Sequence, residues 1–143
     1  MIQTTGTMNH SFLNDNHKNS IIKREILREC IAEGRSSIAD LSRALNVSVP
    51  TATKLVGELI EEGFLQDEGK IGTSGGRRPN IYDLNPNAGF FVGIDIARHH
   101  FHIAISDFKG NIINYIQDIE FVLEANPDSF KKVCHMVMDQ VTR

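Results

Sequence analysis

The residues best equipped for chemistry fall in two short stretches. Ser48, Thr51, Thr53 and Lys54 crowd the start of one periodic segment. Lys70, Thr73, Arg77 and Arg78 lie in the run 69–79, Gly-Lys-Ile-Gly-Thr-Ser-Gly-Gly-Arg-Arg-Pro. Hydroxyls in the first stretch can donate or accept hydrogen bonds, a Thr methyl can meet a thymine methyl, and Lys54 can pair with phosphate or guanine. In the second, glycines let backbone approach a polyanion, and arginine is the side chain favoured in a narrow minor groove. Pro79 stiffens the exit from the run. This is the chemistry of nucleic-acid contact. Plainer readings compete with it: Ser48 and Thr51 can simply cap a helix, and the run 69–79 can be a solvated loop. Capping is the expected main role of Ser48, whereas Thr51 and Lys54 are expected on the open face. Paired glycines followed by paired arginines favour phosphate contact for the loop.

The elements that must position these residues can be read from periodicity. From Asn19 to Glu33, Ile22, Ile26, Cys30 and Ile31 recur at helical spacing, with Lys23, Arg24, Arg28 and Glu29 largely opposite, and Gly34 follows as a C-cap. Ser37-Ile-Ala-Asp40 resembles a capping box and opens a short helix whose stripe is Ile38, Leu41 and Leu45. After a turn at Asn46-Val47, Ser48 caps a third helix with Pro50 in its first turn. Leu55, Val56, Leu59 and Ile60 form its apolar face, and Gly63 stops it. Gly57 weakens that helix, and close packing against another helix is the simplest reason for it. Phe64–Asp67 and Ile81–Leu84 then make two strands about a loop, a hairpin. Three helices and a hairpin in this order predict a winged helix-turn-helix, an α+β fold whose second helix of the pair enters the major groove.

The division of the chain follows composition. Residues 1–18 are polar, rich in Asn, Thr and His, and are expected to form a disordered arm. Residues 19–85 form the winged helix-turn-helix domain. Asn85-Pro86-Asn87 marks a boundary, after which Phe90–Ile96, Phe101–Asp107 and Ile112–Tyr115 read as strands and Pro127 onward as a helix. The net charge of −3 over 143 residues argues mildly against a nucleic-acid partner. Its distribution reverses that reading: residues 70–78 contain three basic side chains and no acidic one, while Glu58, Glu61, Glu62, Asp67 and Glu68 cluster elsewhere. No stretch approaches the ~20 apolar residues of a membrane span. The two cysteines, Cys30 and Cys134, have no ligand-type spacing and suit a reducing cytoplasm. His100 and His102 share one face of a strand, a metal-binding geometry, yet no Cys, Asp or Glu is near in sequence, so no metal is expected.

Five segments together resemble ROK-family transcriptional regulators: Leu41–Ser48 (Leu-Ser-Arg-Ala-Leu-Asn-Val-Ser), Leu59-Ile-Glu-Glu-Gly63, Gly76-Arg-Arg-Pro79, Leu84-Asn-Pro86 and Val92-Gly-Ile-Asp-Ile96. The resemblance implies a winged helix joined to the start of a sugar-kinase-like α/β domain of the actin/Hsp70 superfamily, spanning 86–143 and truncated. It also implies double-stranded DNA as partner, a homodimer or higher homo-oligomer, and a sugar or sugar phosphate effector in the full-length form. The same family contains sugar kinases, which makes a kinase with an accessory N-terminal domain the alternative. In those kinases a Gly-Gly-Thr turn cradles ATP phosphates after the strand equivalent to Val92–Ile96; here Asp95 is kept but Ala97-Arg98-His99 replaces the turn. A degenerate phosphate turn predicts no catalytic residues, no cofactor and no enzyme; the resemblance then implies a repressor of sugar-utilisation genes, which the unpaired cysteines place in the cytoplasm.

Overall fold

The computed structural model describes residues 11–70, 79–122, 124 and 126–141. The chain divides into two compact units, one ending at Ala88 and one beginning at Gly89. The boundary expected after residue 85 is displaced because Asn85 is fastened to the first unit. Its amide donates to the Phe64 carbonyl at 2.9 Å and its Nδ2 to the Gly63 carbonyl at 2.8 Å. A 3-10 turn, Pro86–Ala88, then buries Ala88.

The first unit contains α1 (Ser11–Asn14), α2 (Lys18–Glu33), β1 (Ser36–Ser37), α3 (Ile38–Ala44), α4 (Val49–Glu61), β2 (Leu65–Lys70) and β3 (Asn80–Leu84). The three helices expected from periodicity are α2, α3 and α4, and their caps form as the residue types dictate. Ser37 Oγ accepts from the Asp40 amide at 3.2 Å while Asp40 accepts in return from the Ser37 amide, the reciprocal box that opens α3. The Ser37 hydroxyl also donates to Asp40 and holds that carboxyl below its ordinary pKa. Ser48 caps α4 through the Thr51 amide, with Pro50 in the first turn. Asn46, at φ 51°, makes the left-handed turn between α3 and α4, a conformation Asn tolerates better than most residues. The core gathers Ile26, Leu27 and Cys30 of α2, Leu41 of α3, Ala52, Leu55, Val56 and Leu59 of α4, and Phe64, Leu65, Ile81 and Leu84 around the hairpin. Burial pushes the Cys30 thiol up to about 11, which makes it a packing atom rather than a nucleophile.

Four features differ from the periodicity reading. The buried stripe of α2 runs through Ser20, Lys23, Leu27 and Cys30 as well as Ile26; Ile31 is 67% exposed and Ile22 is half-buried. The stripe is rotated because Lys23, assigned to the polar face, is drawn inward by carboxylates of α4. Second, helical structure already occurs at Ser11–Asn14, ahead of residue 19. Phe12 is buried edge-to-face against Phe64, with ring centroids 5.1 Å apart, and Arg24 Nη1 ties down the carbonyls of Phe12 and Asp15 at 2.6 and 2.7 Å. One aromatic residue inside a polar arm carries no periodicity by which to find it. Residues 1–10 lie outside the described part. Third, β1 adds an edge to the hairpin, pairing Ser36 with Tyr82 and Ser37 with Ile81 in the antiparallel order β1-β3-β2. Two serines offer no alternation to betray a strand.

The fourth difference is Gly57. A Cβ built there meets nothing within 4 Å, so close helix packing does not explain the residue. Gly57 follows Pro50, Thr53 and Lys54 along the open side of α4 and loosens that helix without relieving any contact. Gly57→Ala is therefore expected to stabilise the protein by about 1 kcal/mol, measured as a rise in the urea midpoint at unchanged slope. A fall in the midpoint would show a clash that the backbone geometry does not contain.

The second unit contains β4 (Phe90–Ile96), β5 (His100–Asp107), β6 (Ile112–Glu120) and α5 (Pro127–Val141). The strands form an antiparallel meander in the order β4-β5-β6. Burial alternates strictly along β5: Phe101, Ile103 and Ile105 face inward and pack with Val133 and Val137 of α5. Asp107 organises the turn to β6 by accepting from the amides of Lys109 and Asn111, both at 2.9 Å, and from Asn111 Nδ2 at 2.8 Å. Asn111 accordingly lowers the pKa of that carboxyl.

Candidate nucleic-acid interface

The position of α4 within the first unit is set by charge as much as by its apolar face. Lys23 Nζ of α2 lies 2.8 Å from Glu58 Oε2 and 2.7 Å from Glu62 Oε1, both carried by α4 and its C-cap, and 5.3 Å from the Phe12 ring centroid. Lys23 is only 6% exposed. Burial works against its charge, but the hydrogen bonds to Glu58 and Glu62 outweigh that cost and raise its pKa. Because Glu58 and Glu62 are one helical turn apart, a single ammonium gripping both fixes the rotation of α4 about its axis. The apolar residues Ala52, Leu55, Val56 and Leu59 then face inward, and Val49, Pro50, Thr53 and Lys54 are left exposed.

The sequence-chosen residues divide on this frame. Ser48 and Thr51 engage each other: their hydroxyls are 2.8 Å apart, and Ser48 Oγ accepts from the Thr51 amide. Thr51 is half-buried, whereas the helical wheel places it on the open face. The Thr53 hydroxyl donates back to the Val49 carbonyl at 2.8 Å, which leaves chiefly its methyl to face outward. Lys54 is exposed and lies 3.8 Å from Glu58 Oε1, a loose pair one turn along the same helix. Lys70 is exposed at the end of β2. Thr73, Arg77 and Arg78 lie outside the described residues.

A groove of about 910 Å³ runs between α4 and the hairpin base, lined by Val49 and Thr53 of α4, Ser37, Ile38 and Ala39 at the start of α3, and Lys70, Pro79, Asn80 and Tyr82 at the hairpin base. It brings together two of the predicted residues, Thr53 and Lys70, while Ser48, Thr51 and Lys54 do not line it. Val49, at the helix start, is also expected there from sequence, whereas Asn80 and Tyr82 are not. Tyr82 is identifiable only once β1 is known, since pairing with Ser36 sets its place in the sheet. At the hairpin base, Asp67 accepts from the Gly69 amide and from Asn80 Nδ2, at 2.8 and 3.0 Å, across a register shift between Asp67 and Gly69. That bulge, with Gly69 at φ 82°, re-aims the strand just before Lys70.

In the second unit, the β4–β5 turn that replaces the expected phosphate cradle is closed by its own backbone. The Ala97 amide donates to the His100 carbonyl at 2.9 Å, so that backbone donor is engaged within the hairpin. Asp95, Arg98 and His99 are exposed around it.

Residues 20–66 match the family described as winged helix-turn-helix DNA-binding. Together with the three helices and hairpin, this match defines the first unit as a winged helix-turn-helix. The chain is 32% identical over 106 residues to the xylose repressor of Caldicellulosiruptor bescii, a span covering 73% of this chain and 25% of that protein. It is 31% identical over 88 residues to the xylose repressor of Bacillus subtilis, covering 62% of this chain and 23% of that protein. The chain thus spans about a quarter of the length of these relatives. Its fold is similar to that of a ROK-family transcriptional regulator, a homologue of the E. coli MLC protein. The TM-score is 0.62 at 18% identity, over 89% of this chain and 32% of the other. The chain is thus similar in sequence to xylose repressors and in fold to a ROK-family transcriptional regulator. No helix among the described residues is long and apolar enough to cross a membrane.

The charge clamp on α4 has a pH signature. The hydrogen bond from Lys23 lowers the Glu58 pKa below its ordinary 4.5. A lowered carboxylate contributes stability that is present above its unfolded pKa and lost as pH falls through the folded one. Glu58→Gln is expected to cost on the order of 1 kcal/mol at neutral pH, since Glu58 is partly solvent-screened. In urea melts, the difference from wild type should shrink as pH drops below that ordinary value of 4.5. A difference independent of pH would show that the clamp works through packing alone.

Proposed function

We propose that the first unit is the DNA-reading head of a transcriptional repressor, with α4 in the major groove and the 69–79 loop against the adjacent backbone or minor groove. The observation that carries this reading is the orientation of α4. Its core face and its clamped carboxylates point inward, and the exposed start of the helix adjoins a groove that also holds Lys70. A major groove accepts a helix presented in this way. Lys54 and Lys70 supply phosphate or guanine contact, as do Arg77 and Arg78 from the loop. Thr53 offers its methyl to a base edge. Ser48 and Thr51 chiefly hold the helix start in shape, with their outer edges against the backbone. Gly57 fits the same picture, because a helix without a side chain there leaves its middle open to a bulky partner.

The xylose-repressor relatives favour a sugar, with a pentose as first candidate, as the effector of the complete protein, acting through the domain that begins at Gly89. Operators with paired half-sites would be met by a homodimer that places two recognition helices in successive major grooves. The kinase reading is disfavoured by the Ala97–His100 hairpin, which occupies a backbone donor of the phosphate turn.

Fluorescence anisotropy on promoter DNA of its own gene, across a salt series, tests the proposal. Arg77→Ala with Arg78→Ala should weaken binding to all sequences and flatten the salt slope by roughly 0.9 for each phosphate no longer neutralised. Lys54→Ala should do the same more weakly, while Thr53→Ala should shift preference among sequences. If the double arginine variant binds as wild type does, the loop does not touch DNA.

A further inference from the structure

Along β5, the residues between the buried ones point to the opposite face of the sheet. His100 and His102 stand there, half-buried, with ring centroids 5.0 Å apart. The sequence offers them no neighbouring carboxylate or thiol. The fold supplies one from β6. Pairing runs from Phe101 opposite Ile119 to Ile103 opposite Ile116, so two β6 residues, Gln117 and Asp118, stand against His102 alone. This bulge takes Asp118 out of strict alternation, and Asp118 adopts φ 52°, a left-handed conformation that Asp tolerates better than most residues. Its amide donates to His102 Nδ1 at 3.1 Å. One nitrogen of each imidazole and a carboxylate oxygen of Asp118 lie within 4.8 Å of one another.

We propose that His100, His102 and Asp118 form a binding site for a divalent transition-metal ion. Two imidazoles and one carboxylate suit borderline ions such as Zn²⁺, Co²⁺, Ni²⁺ or Cu²⁺, rather than Ca²⁺ or Mg²⁺, which prefer an all-oxygen shell. In a tetrahedral shell with ligands at about 2.1 Å, ligand atoms stand roughly 3.4 Å apart. The widest pair here must therefore close by no more than about 1.4 Å, a distance within side-chain rotation. The Asp118 amide bond to His102 Nδ1 holds that imidazole beside Asp118. Among the described residues neither imidazole is held in an ion pair, so no salt bridge has to be broken. Asp118 is exposed, which leaves an entry path and room for water to complete the shell. Asp95 pairs directly across from His102 on β4 and adds a further carboxylate to the same face.

Calorimetric titration of the whole chain with Zn²⁺ alone, followed by two-dimensional NMR with Co²⁺, tests the site. The expected result is one saturable equivalent, with Co²⁺ perturbations centred on residues 100, 102 and 118. His102→Ala and Asp118→Asn should each weaken Zn²⁺ at least about tenfold, at unchanged circular dichroism, while His17→Ala and His135→Ala should leave it as it was. The absence of saturable binding overturns the proposal, as does binding that survives combined His100→Ala and His102→Ala. Should the variants not fold, the Co²⁺ map of the wild type decides alone: perturbation centred on other histidines overturns the site.

Discussion

One ammonium group governs the geometry of the first unit. Lys23 is nearly excluded from water and is bonded to two carboxylates at the far end of α4. A cation in that position is tolerable only while both partners stay in reach, and removing either side leaves uncompensated charge at the helix junction. The ring of Phe12 covers it from above, so α1 depends on the same contact. The apolar face of α4 supplies most of the burial energy, but leucines and valines alone would accept a modest rotation of the helix. The double ion pair does not. What α4 shows to solvent is therefore set by a residue on a different helix.

The second unit is built on other terms. Its core is one strand face, Phe101, Ile103 and Ile105, against a stripe of α5. Phe91, Val92, Ile94, Ile113 and Tyr115 are left substantially exposed, so β4 and β6 bury little. A three-stranded meander with one helix has a small core for its surface. The two units therefore differ in kind: the first closes its core from four helices and a hairpin, the second from one strand face and one helix.

Much of this was legible in the residues. Helix starts at Ser37 and Ser48, the turn at Asn46 and the stops at Gly34 and Gly63 follow from local chemistry that needs no tertiary partner. The two hairpin strands and the alternation of β5 follow from period-two patterning. What escaped depended on distant partners. Lys23 reads as a solvated helix charge until Glu58 and Glu62 arrive from 35 and 39 residues away. Phe12 reads as part of a polar arm until Phe64 is beside it. Asp118 reads as a strand residue until a bulge turns it toward two imidazoles. The start of α4 could be located because the Ser48 cap and Pro50 are local signals. The bonds that the Thr51 and Thr53 hydroxyls make, to Ser48 and to the Val49 carbonyl, come from the helix geometry and are not displayed by residue type.

Glu58 links the interior to the surface. One of its oxygens holds Lys23, and the other stands 3.8 Å from Lys54. Lys54 therefore carries a tethered counter-ion that cannot swing away, because the buried lysine anchors it. A polyanion arriving at Lys54 meets a cation already partly neutralised, and it must compete with a fixed carboxylate rather than with mobile salt. Cation for cation, Lys54 should displace fewer condensed ions than an unencumbered lysine. On the proposed reading, attraction at the head of α4 is muted by the core beneath it, and shape and apolar contact take a larger share of the recognition.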